Sequence, residues 1–433
     1  MERAQYRRIG ATVYQGRTER GLRYALCPIK GSSQASFAFV FSKGGLPDEE
    51  SIDGTKIPAG TAHFLEHRLF QMEEGDAAEM FASMGASSNA VTTSSSTTYF
   101  FTTDRDYKAP LELLSRMVTT FYMTESDVDR ERQIILRERE RQLDNPFHVS
   151  YRKMLESLYY YAPIREEIIG TPDSLESIHS STLRKFFRRH YSLNDMTLIA
   201  TGNFDPVEVG AFIEKLKLGN NFQVLSALPR KLPEEPRDSV YTSESEIASP
   251  DGQTYLGVGI KFPAREALYE KYGDMLFAMY EILPDLVFSS ALAPIDRMRR
   301  GGLLIYEAGT TIEQAGEEAC LVALFETNSP VKMKKAMERH LSNIPAGLSF
   351  FGGELRRIEL SHLGQSSIEA FDPEELLFNM VDAYENHIVW PAVASRAVTL
   401  RSRDVLGFLK SVSEWPRSYC IMRGKGKTGE DSR

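Results

Sequence analysis

His63, Glu66 and His67 put two imidazoles four residues apart with a carboxylate between them. On an α-helix that spacing gathers all three on one side, while Phe64, Leu65 and Leu69 fall on the opposite arc. Neutral imidazoles at i and i+4 are a zinc-ligating pair, and a catalytic zinc site adds a third protein ligand and an open position for water. Glu66 then stands where a general base for that water is needed. The plainer alternative is a solvated helix face, and a third ligand on another element decides between the two. A long charged helix expected over 126–144 supplies the candidate. Val128, Glu131, Ile134, Ile135, Glu138 and Gln142 follow the i, i+3, i+4, i+7 rule, so Glu131 and Glu138 share a stripe with the β-branched apolar residues of that helix. An unpaired ion in a protein interior is costly enough that carboxylates persist there only beside a cation or strong donors. Glu138 suits a metal ligand, and Glu131, two turns earlier, suits a residue that orients a ligand or balances charge. The alternative for both is pairing with arginines of neighbouring helices. Asp129 and Glu140 leave the stripe and read as solvent-facing.

These groups need a scaffold. Residues 12–14, 22–26 and 36–42 read as strands of a meander that Gly44, Gly45 and Pro47 stop. Thr61 is the expected N-cap of the His63 helix, which runs through Phe70 to about Glu74. Strands follow at 87–92 and 97–103, helices at 108–121, 126–144, 149–160 and 180–190, and a strand at 196–202. The 87–92 strand is small, polar and β-compatible. It suits an exposed edge onto which an extended peptide adds by backbone hydrogen bonds, with Ser88, Asn89 and Ala90 as substrate-binding candidates; the alternative is an ordinary strand leaving a Gly turn.

Periodicity fades over 219–252, where Pro229, Pro233 and Pro236 stand among charges, and this is the expected linker. Beyond it come a strand at 254–261, a helix at 266–284, strands near 303–310 and 319–326, and helices at 330–342, 353–364, 373–386 and 403–411. The expected class is α+β. It comprises two similar domains, 1–218 and 253–423, each a mostly antiparallel sheet packed with helices, and an apolar-free tail at 424–433 that is expected to be disordered.

Composition narrows the partners. The 433 residues are 42% hydrophobic and 26% charged, which describes a globular chain rather than a disordered or fibrous one. A net charge of −9 argues against nucleic acid. Cys27, Cys320 and Cys420 show no ligand or disulfide spacing and fit a reducing compartment. No stretch reads as a membrane span, the first residues lack an apolar signal region, and Glu2 and Glu19 spoil a transit-peptide pattern, so a cytoplasmic location without membrane attachment is expected.

The run Thr61–Phe70, then 85–92 and 130–138, resembles the insulinase/pitrilysin family of inverted zinc metallopeptidases, to which the mitochondrial processing peptidases belong. The likeness continues through 168–178 and 194–205, so it covers the N-terminal half in order. It implies His63, His67 and Glu138 as metal ligands, with Glu138 lying 71 residues beyond His67. It also implies Glu66 as catalytic base, Glu131 as a second acid, one zinc ion per active chain, and Asn89 holding a peptide carbonyl near the metal. In the second half the family's Arg and Tyr, seven residues apart around a Gly-Leu turn, are matched by Arg299 and Tyr306; an ordinary basic turn is the alternative. The resemblance further implies a chamber formed by two such two-domain chains, as a homodimer or as a heterodimer with a related chain. The expected function is a zinc endopeptidase cutting extended peptides or leader sequences, in general turnover or in maturation of one peptide. Its rivals are a non-catalytic, peptide-holding subunit and a metalloenzyme acting on small molecules.

Overall fold

The computed structural model describes residues 1–6, 10–46, 57–218, 234–290, 292–344, 351–385 and 400–424. In chain order the first elements are β1 (Glu2–Tyr6), β2 (Ala11–Arg17), β3 (Arg23–Pro28), β4 (Ala35–Phe41), α1 (Thr61–Leu69), β5 (Gln71–Met72), β6 (Gly75–Asp76), α2 (Ala77–Ser83), β7 (Ala86–Thr92) and β8 (Thr97–Thr103). Next come α3 (Lys108–Thr119), α4 (Glu125–Leu143), α5 (Pro146–Leu158), α6 (Pro172–Glu176), α7 (Ser180–His190), β9 (Met196–Gly202) and α8 (Pro206–Glu214). The remainder is β10 (Glu244–Ala248), β11 (Tyr255–Lys261), α9 (Arg265–Tyr272), α10 (Met275–Phe288), α11 (Ala293–Arg300), β12 (Tyr306–Ala315), β13 (Glu318–Glu326), α12 (Pro330–Ser342), α13 (Phe351–Glu369), α14 (Pro373–Glu385), α15 (Ser402–Val412) and β14 (Arg417–Arg423).

The class is α+β, with two compact units that each pack helices on one sheet. The first sheet has the order β1-β2-β3-β9-β4-β8-β7 and is antiparallel except for β3 beside β9; the second has the order β10-β14-β11-β13-β12, with only β10 and β14 parallel. Alternation explains the first core. Phe37, Phe39 and Phe41 of β4 pack with Tyr99 and Phe101 of β8 and with Phe64 and Leu65 of α1. Yet every residue of β4, β8 and β9 is buried, so the opposite face is covered as well.

What covers it is α14, far away in sequence. Phe378 meets the Phe100 ring edge-on at 4.9 Å, Thr102 donates to Glu374 at 3.0 Å, and the Tyr384 hydroxyl lies 3.0 Å from the Thr197 hydroxyl. In exchange, α5 covers the second sheet. A Cβ on Gly257 would come 2.6 Å from Ser150 Oγ, and one on Gly259 would come 3.1 Å from Leu158, so the bare β11 backbone makes room for that helix. The first unit is therefore 1–136, 166–231 and 364–395, and the second 137–165, 232–363 and 396–433. This differs from the expected division at 219–252, because periodicity shows that a helix has an apolar face but not which sheet it covers. β10 also occupies part of the expected linker, whereas 219–233 and the expected tail from 425 onward lie outside the described residues.

Several smaller expectations need correction. The His63 helix stops at Leu69, and β5 and β6 form a hairpin where it was expected to continue. Its N-cap is Gly60, at φ 91°, rather than Thr61. A Cβ at 60 would lie 2.8 Å from the Ile169 carbonyl, so only glycine suits both the left-handed backbone and this close approach. The helix expected over 266–284 is two, broken at Gly273 with φ 57°. By length and composition the stretch 275–300 is apolar enough to cross a membrane, which the sequence reading did not pick out. Its α10 portion is the central helix of the second core, with Leu276, Ile282 and Leu283 fully buried.

Candidate metal centre

α1 lays Ala62, Phe64, Leu65 and Leu69 into the first core, which turns His63 and His67 to the half-exposed side. Their ring centroids are 4.6 Å apart. α4 is one unbroken helix, and it carries Glu138 in its second half. One ligand atom from each of His63, His67 and Glu138 lies within 4.8 Å of the other two. Two imidazole nitrogens and one carboxylate oxygen form a His2Glu donor set of the kind that holds catalytic zinc, so the residues present fit that ion. Gln142, one turn on, donates to Glu138 Oε1 at 3.2 Å.

The buried stripe of α4 is Val128, Glu131, Arg132 and Ile135, whereas Ile134, placed on it by the sequence reading, is exposed. Glu131 is 7% exposed. Its Oε1 lies 3.0 Å from His67 Nδ1, and its Oε2 accepts from Arg68 at 3.4 Å. Burial pushes the Glu131 carboxyl up, but the His67 hydrogen bond and the charges of His67 and Arg68 outweigh it and hold the pKa below the ordinary glutamate value. An ionised carboxylate only accepts, so this contact keeps the His67 proton on Nδ1 and turns the Nε2 lone pair outward. Both sequence readings of Glu131, ligand orientation and arginine pairing, thus describe one arrangement. Arg132 is a separate anchor: it donates to the carbonyls of Leu175 at 3.0 Å and Ile178 at 2.8 Å, tying α4 to α6 and the residues just after it.

Glu66, 7% exposed, accepts from the Thr92 hydroxyl at 2.5 Å. Thr92 ends β7, the edge strand of the first sheet. Across the register Ser88 faces Phe101, Ala90 faces Tyr99 and Thr92 faces Thr97, which puts those three side chains on the α1 side. Asn89 pairs with Phe100 and therefore points to the opposite, α14 side; its Oδ1 accepts from the Ala90 N–H at 2.9 Å. The resemblance implies that Asn89 holds a peptide carbonyl near the metal, and the strand's period of two sets the face its side chain takes. Thr92 and Arg68 were missed. The same period, continued from Ser88 and Ala90, marks Thr92. Arg68 gives no sequence signal, since a basic residue in the last turn of a helix ordinarily faces solvent. Arg299 and Tyr306 belong to the second unit and are exposed, Tyr306 by 62%. The three cysteines are free and buried, and burial pushes the Cys27 thiol up to about 12, so it supplies no nucleophile near neutrality.

Residues 32–172 match the family model for insulinase, peptidase family M16, and residues 177–282 match that for the peptidase M16 inactive domain; together they span more than half of the chain. The chain belongs to the insulinase family, M16. This M16 chain is 30% identical over 250 residues to the "uncharacterized zinc protease YmfH" of Bacillus subtilis (strain 168), a match covering 56% of the chain and 58% of the Bacillus protein. Among solved structures, an M16-like protein from Alicyclobacillus acidocaldarius superposes with a TM-score of 0.84 at 22% identity, covering 95% of the M16 chain and 98% of its own. A protease from Helicobacter pylori gives 0.80 at 17%, covering 94% and 99%. At those identities the two structures speak for the shared fold.

Proposed function

We propose that the chain is a zinc-dependent endopeptidase that hydrolyses extended peptides. The observation that carries this reading is the meeting of His63, His67 and Glu138 beside a buried Glu66, under an edge strand with a free side. Zinc, when bound there, polarises a carbonyl and lowers the pKa of a water toward 7. Glu66 takes the proton of the attacking water and returns it to the leaving amine. Thr92 fixes the orientation of the Glu66 carboxylate, and Glu131 fixes the ring of His67. β7 aligns the peptide by main-chain pairing, which reads backbone more than side chains and suits unfolded stretches or leader segments. In this reading a second two-domain chain, identical or related, completes the chamber, and Arg299 and Tyr306 line the second unit's contribution to it.

The test is metal dependence. The purified protein is expected to hold one zinc per chain, to cleave quenched peptides, to lose cleavage with a chelator and to regain it with zinc. Cleavage that survives full zinc removal overturns the reading, and a zinc-loaded chain inert to every peptide favours the peptide-holding subunit instead. Glu131→Gln removes the charge that orients His67. It is expected to weaken zinc binding about 10- to 100-fold in chelator competition while the circular dichroism spectrum stays native.

A further inference from the structure

The hydroxyl that holds Glu66 is itself held from a distance. Thr92 is the last residue of β7 before the 93–96 turn into β8. That turn is gripped on one side by backbone: Gly45 donates to the Thr93 carbonyl at 2.8 Å and Leu46 to the Ser94 carbonyl at 3.1 Å. A Cβ on Gly44 would come 2.3 Å from Thr93 O, so the approach admits only glycine. On the other side is the carboxylate of Glu385, the last residue of α14. It accepts from Ser95 Oγ at 2.7 Å, from Ser96 Oγ, and from Thr93 Oγ1 at 3.3 Å. Thr93 Oγ1 in turn accepts from the Ser96 N–H at 3.0 Å. Among the described residues no cation pairs with Glu385; its oxygens are given over to the hydroxyls of this one turn. α14 is anchored to the sheet by Phe378, Glu374 and Tyr384, so the clamp has a rigid base.

We propose that Glu385 and Thr92 are positioning residues for Glu66: Glu385 clamps the 93–96 turn, and the turn holds the Thr92 hydroxyl where it orients the Glu66 carboxylate. The inference rests on the reading of Glu66 as the base. A carboxylate free to rotate by a fraction of its length leaves the near-attack geometry, and displacements of that size cost activity without touching the metal.

The experiment compares Thr92→Val, Thr92→Ser, Glu385→Ala and Glu385→Gln in the full chain, reading kcat and KM on a quenched peptide, zinc content, and amide exchange across 93–96. Thr92→Val and Glu385→Ala are expected to lower kcat about tenfold or more, with KM and zinc within about twofold; Thr92→Ser is expected to keep most of the activity. Glu385→Ala is expected to speed exchange in the turn at least tenfold, with Glu385→Gln, which retains one acceptor, lying between. Native kcat in Glu385→Ala, a loss lying wholly in KM, or unchanged exchange in the turn overturns the proposal. If the native chain cleaves no peptide at all, the peptidase reading falls separately, and turn exchange alone then decides the clamp: faster supports it, unchanged defeats it.

Discussion

Glu66→Gln is expected to leave zinc bound and to cut kcat by at least about 10³-fold, since general acid–base transfer contributes about 10² to 10⁴ and glutamine performs neither half of it. The variant isolates chemistry from structure. Glutamine has the same size, keeps an oxygen for the Thr92 hydroxyl and places no new charge in a site only 7% exposed. His63, His67 and Glu138 are untouched, so metal content by atomic absorption stays near the native value. Steady-state kinetics with KM resolved from kcat completes the measurement. Retention of more than a few percent of native kcat removes Glu66 from the role of base.

The second large effect concerns stability. Lys261 Nζ lies 2.6 Å from Glu235 Oε1, and both side chains are fully buried in the second unit. The ammonium also donates to the carbonyls of Pro236 at 2.6 Å and Ser239 at 3.1 Å, while Glu235 accepts from the backbone N–H groups of Tyr160, Tyr161 and Ala162. Burial pushes the Glu235 carboxyl up, but the Lys261 ammonium and those amides outweigh it and hold it below the ordinary glutamate value. A depressed carboxylate stabilises the fold above its unfolded pKa and loses that contribution as pH falls through its lower folded value, so the Glu235 contribution is lost in acid. Lys261→Met leaves Glu235 buried without its cation and is expected to destabilise by about 3–5 kcal/mol in urea unfolding. Adding Glu235→Gln, which keeps an acceptor for the amides, is expected to recover part of that loss. A single variant within about 1 kcal/mol of native shows that the pair is not a stability determinant.

Much of the site was legible in advance because its signal is local. The i, i+3, i+4 spacing of His63, Glu66 and His67 defines one helix face, and the period of α4 brings Glu131 and Glu138 round to a common side. The structure places these groups together. Ile134 fell off the stripe because the helix buries a narrower arc, filled partly by Arg132, whose guanidinium finds carbonyl acceptors and so tolerates burial. The face that Asn89 takes was not legible for a different reason: a residue's type says what it binds, whereas the pleat decides where it points. Glu235 was hidden in a proline-rich, charged stretch that reads as linker, and only its partner Lys261, within an otherwise apolar strand, hints at it. Least legible was the destination of α5 and α14. Their apolar faces are plain in the sequence, but two sheets, of seven and five strands, compete for them.

The bonds that seat α14 on β9 join residues 172 and 187 positions apart. During synthesis, therefore, Val40, Phe100 and Ile199 wait exposed to water until nearly the whole polypeptide has left the ribosome. A molecule wired this way has a high contact order and matures late, and its halves, made as separate fragments, would each carry a raw sheet surface prone to self-association.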